Sequence, residues 1–492
     1  MNIKRVMIAA PKSGSGKTTV TCALLKTLKN IGCNVVSYKC GPDYIDPMFH
    51  EKAIGVTSKN LDTFFTGKTK TRALFINSAA KKDFAVLEGV MGLYDGLGGV
   101  WEEGSSYHLA KVTKTPILFV VDAKGMGRSV ISLIAGFLAY DSEHLIQGII
   151  LNRISKGYYD IIKPLIEEEL NIQVIGFLPE REELHIESRH LGLIMPDELE
   201  GIKEKLQTVS ELFSETVSIE SIMEIAKRAD VLKEEKSVQE LEEAKSAVES
   251  EEAKSAGESE EAKSSGELEG SETEGEIKST VNRPVIAVAR DEAFCFYYED
   301  NIRMLEEYGA EIKYFSPLRD EKLPDVCHAL LLGGGYPELY AERLSENIKM
   351  RIAVKNAVEN GMPVVAECGG FMYLHSSMTD KEGKSYDMAG VIPESCFYTG
   401  KLVRFGYVEL REKKSCFLPE GERIKGHEFH YYDSTGNGMD IVALKPVTGK
   451  EYPCIMADNM HWMGFPHLYY PSNEAFAKTF VEKATQYMKG MP

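Results

Sequence analysis

The sequence has no CxxC pair, no stretch near the roughly 20 apolar residues a membrane span needs, and no excess of basic residues. Each absence closes off a class. Nine cysteines are scattered without regular spacing, which argues against a disulfide framework or a zinc site and fits free thiols in a reducing cytoplasm. Lys and Arg number 57 against 75 Asp and Glu, a formal net charge of −18, the wrong sign for a nucleic-acid protein. The opening MNIKRVMIAAPKSG carries a short apolar stretch that runs directly into a glycine loop, without the longer apolar core and cleavage site of a signal peptide. The expected partners are small molecules, with no nucleic acid and no membrane; a homodimer stays open.

What is present is enough chain for two or three cores: 492 residues, 43% of them hydrophobic. Residues 233–278 hold 16 acidic and 6 basic residues, so more than half of the net charge sits there. A nine-residue near-repeat runs through this stretch as EEAKSAVES (242–250), EEAKSAGES (251–259) and EEAKSSGEL (260–268). With almost nothing large and apolar to bury, 233–282 reads as a solvated, disordered acidic linker between domains at 1–232 and 283–492.

On both sides of that stretch, apolar strand-like runs alternate with helical patterns. Arg5–Ala10, Asn34–Tyr38, Phe84–Leu87, Ile117–Val121 and Gly148–Leu151 read as buried parallel strands, with helices at Thr18–Asn30 and Arg128–Ala139 among the segments between them. Beyond the linker come strands Val285–Ala289, Glu311–Phe315, Ala329–Leu332 and Pro363–Ala366, and helices near Glu299–Tyr308 and Asn347–Asn360. This alternation predicts two α/β domains, the first a doubly wound parallel sheet. Past about Gly390 the chain has more β character.

Three strand ends of the first domain carry chemistry. Strand Arg5–Ala10 runs into PKSGSGKTT (11–19), which matches the phosphate loop GxxxxGK[ST] except that Pro11 stands at the first glycine. Backbone N–H groups from Ser13, Gly14, Ser15, Gly16, Lys17 and Thr18, with Thr19 behind them, can cup the phosphates of ATP over a helix N-terminus. Lys17 would reach the β- and γ-phosphates, and the Thr18 hydroxyl would ligate Mg²⁺. Lys12 is either a second phosphate lysine or a surface lysine. KCGPDYIDPMFH (39–50) brings Asp43 and Asp46, and LEGVMGLYDG (87–96) brings Glu88 and Asp95, to neighbouring strand ends. Glu88 is the first candidate for the metal and Asp43 or Asp46 the second; Asp95 is balanced between a ligand role and a turn cap. Asn152, after strand Gly148–Leu151, is a candidate contact to the base.

In the second domain, Met362–Ala366 ends at Ala366-Glu367-Cys368-Gly369-Gly370, and a helix-compatible run follows. That is the layout of a nucleophile elbow, with a helix N-terminus behind the sulfur that favours thiolate. The alternative is a small buried cysteine at a tight turn. His427 and His430, spaced three apart, lack a third metal ligand and the HExxH pattern, so a structural or tetrapyrrole-side role is expected over zinc.

Taken together, APKSGSGKTT, KCGPDYIDPMFH, LEGVMGLYDG, RHLGL (189–193), ARDEAFCFYY (289–298), GGGYPE (333–338), AECGGFMYL and GHEFHYY resemble the cobyrinate a,c-diamide synthase family of glutamine-dependent amidotransferases, in the family's order and on both sides of the linker. The resemblance implies an ATP-dependent amidation domain related to dethiobiotin synthetase, followed by a class I-like glutamine amidotransferase domain. It implies that Cys368 attacks the glutamine side-chain amide. It also implies that a histidine in a run like SYxHLHF activates the sulfur; here the run is GFPHLYY, and His467 falls on the first histidine, with Tyr469 in place of the second and Pro466 a departure. Gly334 and Gly335 of GGGYPE, beside Gly369, are suited to an oxyanion hole. The implied reaction is amidation of the a and c acetates of cobyrinate, in cobalamin biosynthesis, through an acyl phosphate and channelled ammonia. Tyr44 and Asp95 are expected at the corrin. The motifs do not separate cobyrinate from hydrogenobyrinate or Ni-sirohydrochlorin, and a P-loop regulatory ATPase with an inert amidotransferase-like domain is the alternative of a different class.

Overall fold

The structure is a computed structural model that describes residues 2–181, 196–233 and 283–490. The near-repeat, all of 234–282 and the RHLGL run lie outside the described residues.

The first half is built on a seven-stranded sheet of β1 (Arg5–Ala9), β2 (Val35–Cys40), β3 (Thr57–Leu61), β4 (Phe84–Glu88), β5 (Ile117–Asp122), β6 (Ile146–Asn152) and β7 (Val174–Leu178), in the order β3-β2-β4-β1-β5-β6-β7. Every pairing is parallel. Parallel strands covered by helices on both faces lose the polar alternation of an exposed sheet, which is why β1 and β4 read as apolar runs, charged only at Arg5 and Glu88 at their ends, and are buried throughout. Each fully buried Val, Leu, Ile or Met there contributes about 1.5–3 kcal/mol. The strand order reverses at β1, so the loop after it opens into the crevice where such sheets bind ligands. Arg5 is buried in β1 and ties distant chain together, donating to the carbonyls of Ile3, Thr113, Lys114 and Asp230.

Two strands are absent from the sequence reading. β3 is TSKNL, an edge strand whose polar residues hide its type. β7 is apolar but holds Gly176, whose missing side chain makes room for Val217.

The second half carries a six-stranded sheet in the order Glu311–Phe315, Val285–Ala289, Ala329–Leu332, Val364–Glu367, His461–Gly464 and Met456–Ala457, parallel except for the last pair. Three of its strands match the sequence reading to the residue, and the fourth is displaced by one. The β-rich C-terminal stretch forms a five-stranded antiparallel sheet, ordered Glu451–Cys454, Ile441–Leu444, Arg404–Glu412, Arg423–His430 and His467–Leu468. His467 therefore arrives at the parallel sheet on the edge of a second sheet, paired with His427.

The halves meet through a hydrophobic cluster, aromatic but for one leucine, of Tyr44, Phe64, Phe65 and Leu97 from one side and Tyr298 and Tyr469 from the other. Polar ties surround it. Lys59 pairs with Asp300 at 2.9 Å, Lys425 donates to the Phe64 carbonyl at 2.7 Å, and the Tyr407 hydroxyl donates to Asp62, which also caps the helix Thr63–Ala79.

Candidate active site

At the phosphate loop, Gly16 has φ 100° and stands immediately before the helix α1 (Lys17–Asn30). A Cβ at Gly16 would lie 2.1 Å from Asn152 Nδ2, so the glycine is required by contact as well as by conformation. Asn152, expected at the base, braces this loop: its amide donates to the Ser15 carbonyl at 2.8 Å and its oxygen accepts from the Arg153 N–H at 3.0 Å. With both ends of the carboxamide engaged inside the fold, the side chain supports loop geometry. Lys12, Ser13 and Gly14 are exposed, and Ser15 is buried and bonded to the Lys12 carbonyl. Thr19 is half-buried in the first turn of α1. Lys17 is buried, donates to the carbonyls of Lys12 and Met91, and is brought down to about 8 by burial and then by the nearby Lys39.

The neighbouring strand ends converge on one cluster. The Thr18 hydroxyl donates to Glu88 Oε1 at 2.7 Å. Lys39, at the end of β2, donates to the same oxygen at 2.9 Å, ion-pairs with Asp46 and lies 3.9 Å from Asp43. Burial raises Glu88 to about 7 against the opposing pull of Lys39, and burial also raises Asp43; for Asp46, burial pushes up, but Lys39, His50 and the hydrogen bonds from Lys39 and Glu88 together outweigh it and hold the carboxyl low. His50 stands 3.6 Å from Glu88 and is depressed to about 4 by burial. Glu88 Oε2 is buried without a hydrogen-bond partner. A hydroxyl, an unpartnered carboxylate oxygen and further carboxylates beside a phosphate loop make a hard-oxygen donor set that fits Mg²⁺ completed by phosphate and water. Among the described residues no group of three or more His, Cys, Asp and Glu is arranged to hold a metal without such outside ligands. Asp95 accepts from Gly92 N–H at 2.9 Å, so it caps its own turn, and that turn is pinned to the phosphate loop by Leu93 N–H on the Ala10 carbonyl.

The cysteine sits on the expected elbow. Cys368 follows strand Val364–Glu367, has φ 46° and ψ −102°, and precedes the short helix Gly369–Leu374. Non-glycine residues reach that backbone region only when their surroundings hold them there. The restraints are visible: Cys368 N–H donates to the Gly464 carbonyl, Gly370 N–H donates to the Gly333 carbonyl, and a Cβ on Gly370 would strike the Leu332 carbonyl at 2.1 Å. Gly334 and Gly335 form a two-residue strand against Phe294–Phe296. A Cβ on Gly369 would be 3.2 Å from Gly335 N, so these two amides are neighbours; one on Gly334 would be 2.2 Å from His467 Cε1. The glycines thus press the histidine, the elbow and the candidate oxyanion amides into one pocket. The expectation of a standing thiolate is not met. Burial, and then Glu338, push the Cys368 thiol up, while the Gly369 N–H pulls the other way without prevailing. Burial likewise lowers His467 to about 3, leaving a neutral imidazole that can accept a proton. His467 Nδ1 and Glu367 Oε2 are 3.8 Å apart; His467 Nδ1 has no hydrogen-bond partner, and burial raises Glu367 to about 8.

One side chain joins the two ends. Tyr44 lies in the turn that Asp43 caps and that leads to Asp46. Its ring is 7% exposed, stacks on Phe296 at 5.0 Å, and lies 5.7 Å from His427 and 5.4 Å from His467. His427 and His467 stack on each other at 4.9 Å. His430 is a structural residue, stacked on Phe465 at 4.1 Å and bonded to the Tyr432 carbonyl.

Comparison with known proteins fits this geometry. Residues 6–194 match the CobQ/CobB/MinD/ParA nucleotide binding domain, and residues 285–456 match the CobB/CobQ-like glutamine amidotransferase domain. A cobyrinate a,c-diamide synthase of Caldanaerobacter subterraneus subsp. tengcongensis is 37% identical over 98% of each chain. One of Thermoplasma volcanium is 36% identical over 99% of each. The chain belongs to the cobyrinate a,c-diamide synthase family. Membership makes it an amidotransferase with a nucleotide-binding and a glutamine amidotransferase domain on an α/β framework, and among the described residues no helix is long and apolar enough to cross a membrane.

Three residues of this diamide synthase relative lie inside the quoted runs, but the runs do not show the contacts these residues make. Lys39 stands inside the otherwise uncharged VVSYKC strand, and a lone ammonium at the carboxyl end of a buried strand is the signal that could have found it. Glu367 is the residue before the nucleophile and points to the same pocket as His467. His427 is marked in the sequence only by its spacing from His430, and its stacking on His467 depends on the pairing of strands forty residues apart.

Proposed function

We propose that this family member uses ATP and glutamine to amidate the a and c acetate side chains of cobyrinate, a step in cobalamin assembly, with residues 1–232 activating the carboxylate and 283–492 releasing ammonia. The observation that carries this reading is the contact between the two candidate sites: the Asp43–Asp46 turn of the phosphate end holds the ring that packs on His467.

At the glutaminase end, neutral His467 takes the thiol proton as Cys368 Sγ attacks the glutamine carboxamide carbon. The N–H groups of Gly334 or Gly335 and Gly369 receive the developing oxyanion. Ammonia leaves with the proton returned by His467, and water hydrolyses the thioester to glutamate. A thiol kept neutral until substrate arrives limits idle glutamine hydrolysis, and that fits the burial of Cys368.

At the phosphate end, an acetate oxygen of the corrin attacks the γ-phosphorus of ATP and ADP departs, leaving an acyl phosphate. Ammonia attacks the acyl carbon and phosphate leaves, forming the amide. Lys17 and the amides of residues 13–18 balance phosphate charge. Thr18 and Glu88, with Asp43 or Asp46, would hold Mg²⁺, which supplies further charge neutralisation when bound. Lys39 keeps the carboxylates together and restrains their mutual repulsion. The aromatic packing around Tyr44 supports passage of ammonia between the domains away from bulk water.

The test is to incubate purified protein with ATP, Mg²⁺, glutamine and, separately, cobyrinate, hydrogenobyrinate and Ni-sirohydrochlorin, and read products by mass spectrometry. Two successive amidations of cobyrinate, each matched by one ADP and one glutamate, are expected. Glutamate and ADP release without any amidated macrocycle would overturn the reading.

A further inference from the structure

Strand Arg423–His430 turns Lys425, His427 and Phe429 to one face, as the pleat requires. Lys425 on that face reaches the Phe64 carbonyl in the first domain, and His427 lies against Tyr44. Phe429 comes next on the same face, and it is 52% exposed. The partner strand repeats the pattern: Tyr407, opposite His427, bonds Asp62, while Phe405, opposite Phe429, is 62% exposed. One cross-strand pair is therefore covered by the first domain, and the next pair, roughly 7 Å along, is not. The two phenylalanine rings are 5.7 Å apart, and Tyr431 extends the row 5.9 Å from Phe429.

A second apolar wall comes from the loop that follows Glu88 and Asp95. Gly98 in this loop packs on Val447, where a Cβ would come within 2.9 Å of Val447 Cγ1, and Lys445 two residues earlier donates to the Phe405 carbonyl. The same loop holds up Val100 and Trp101, exposed by 75% and 61%. Exposed aromatics gathered on two elements beside a phosphate site mark a binding surface, because isolated exposure would scatter them.

We propose that Phe405, Phe429, Tyr431 and Trp101 form the ledge on which the apolar face of a flat, polycarboxylate tetrapyrrole docks, with its rim acetates directed toward Lys17 and Glu88. This rests on the function proposed above and adds the surface that holds the macrocycle. Stacked rings grip a planar face without reading its edge substituents, so the ring system can be held while one acetate and then the other is presented for activation. The ledge continues the face that joins the domains, which places the bound ring at the mouth of the interdomain site.

The chain offers its own reporter. It has two tryptophans, of which Trp462 is buried and Trp101 lies on the ledge. Cobyrinate titrated into the intact protein is expected to quench the exposed tryptophan emission saturably, and Trp101→Phe is expected to remove that signal. The double variant Phe405→Ser/Phe429→Ser is expected to raise the cobyrinate Kd, and its KM in ammonium-driven amidation, about tenfold or more, with kcat changing far less. Trp101→Ala, on the other wall, is expected to raise KM in the same sense should the double variant fold poorly. Unchanged Kd and KM in both variants would overturn the ledge and leave the catalytic reading standing. So would a change of oligomeric state in the phenylalanine variant with cobyrinate affinity intact, which would make the patch a self-association face. A wild-type protein that neither binds nor amidates any of the three tetrapyrroles would overturn the functional reading and the ledge with it.

Discussion

The two ends of the candidate site solve opposite electrostatic problems. At the phosphate end, charged groups are buried around a matching ammonium: Lys39 touches Asp46 and Glu88 and stands near Asp43, and Glu88 takes the Thr18 hydroxyl while its second oxygen stays open. At the glutaminase end, titratable groups are buried and left unmatched: Cys368 is driven toward the thiol, His467 toward neutral imidazole and Glu367 toward the protonated acid. The first arrangement is prepared for a polyanion and a cation before they arrive. The second keeps its nucleophile quiet until an amide enters among the glycine N–H groups. A protein that must make ammonia only when an acyl phosphate is waiting needs this asymmetry.

The largest break in that comparison is Lys17→Ala. It should lower amidation by roughly 10²–10³-fold or more with either glutamine or an ammonium salt, because both routes need the activated carboxylate. Rates measured with both nitrogen donors check it; retained ammonium-driven synthesis would remove the phosphate-loop role.

Lys39→Met attacks the matched cluster itself. Removing one member of a buried ion-pair cluster leaves uncompensated charge, so unfolding stability should fall by about 3–5 kcal/mol, read from denaturant melts. A melt that matches the wild type would show that the carboxylates do not depend on the ammonium.

Gly334→Ala attacks only the unmatched end. The new methyl would meet His467 Cε1 at 2.2 Å, and a shift of about 1 Å in that ring should cut glutamine-dependent activity on the order of 100-fold, while ammonium-driven activity stays near wild type. Equal loss with both donors would mean that the pocket is not confined to glutamine.

Glu367→Gln sharpens the contrast through pH. A carboxyl raised from 4.5 to about 8 contributes stability that is fully present below the unfolded value and lost as pH rises through the folded one. Between pH 7 and 9 the wild type should therefore lose about 1 kcal/mol relative to the glutamine variant, seen as a fall of the wild-type Tm against that of the variant. A constant difference across that window would put the ionised form of Glu367 in the fold already.

Much of this was legible because local signals agreed with the fold. The apolar runs at β1, β4 and Val285–Ala289 are buried on both faces, so their type survives without knowledge of their neighbours, and GSGKTT and AECGG carry their turns in their glycines. β3 was not legible, because TSKNL is an edge strand that needs no apolar run. The bracing by Asn152 was not legible, because position after a strand end does not say that Gly16 leaves a gap its side chain fills. His427, Glu367 and the ring of Tyr44 matter through pairings between distant strands and domains, which no local pattern encodes.

The central claim is that one chain joins an ammonia-releasing cysteine site to a separate carboxylate-activating site. It is tested most directly by Cys368→Ser assayed on cobyrinate with glutamine and, in parallel, with an ammonium salt. The account expects glutamine-driven amidation to vanish and ammonium-driven diamidation to continue at close to the wild-type rate. Loss of both, or retention of both, would contradict it.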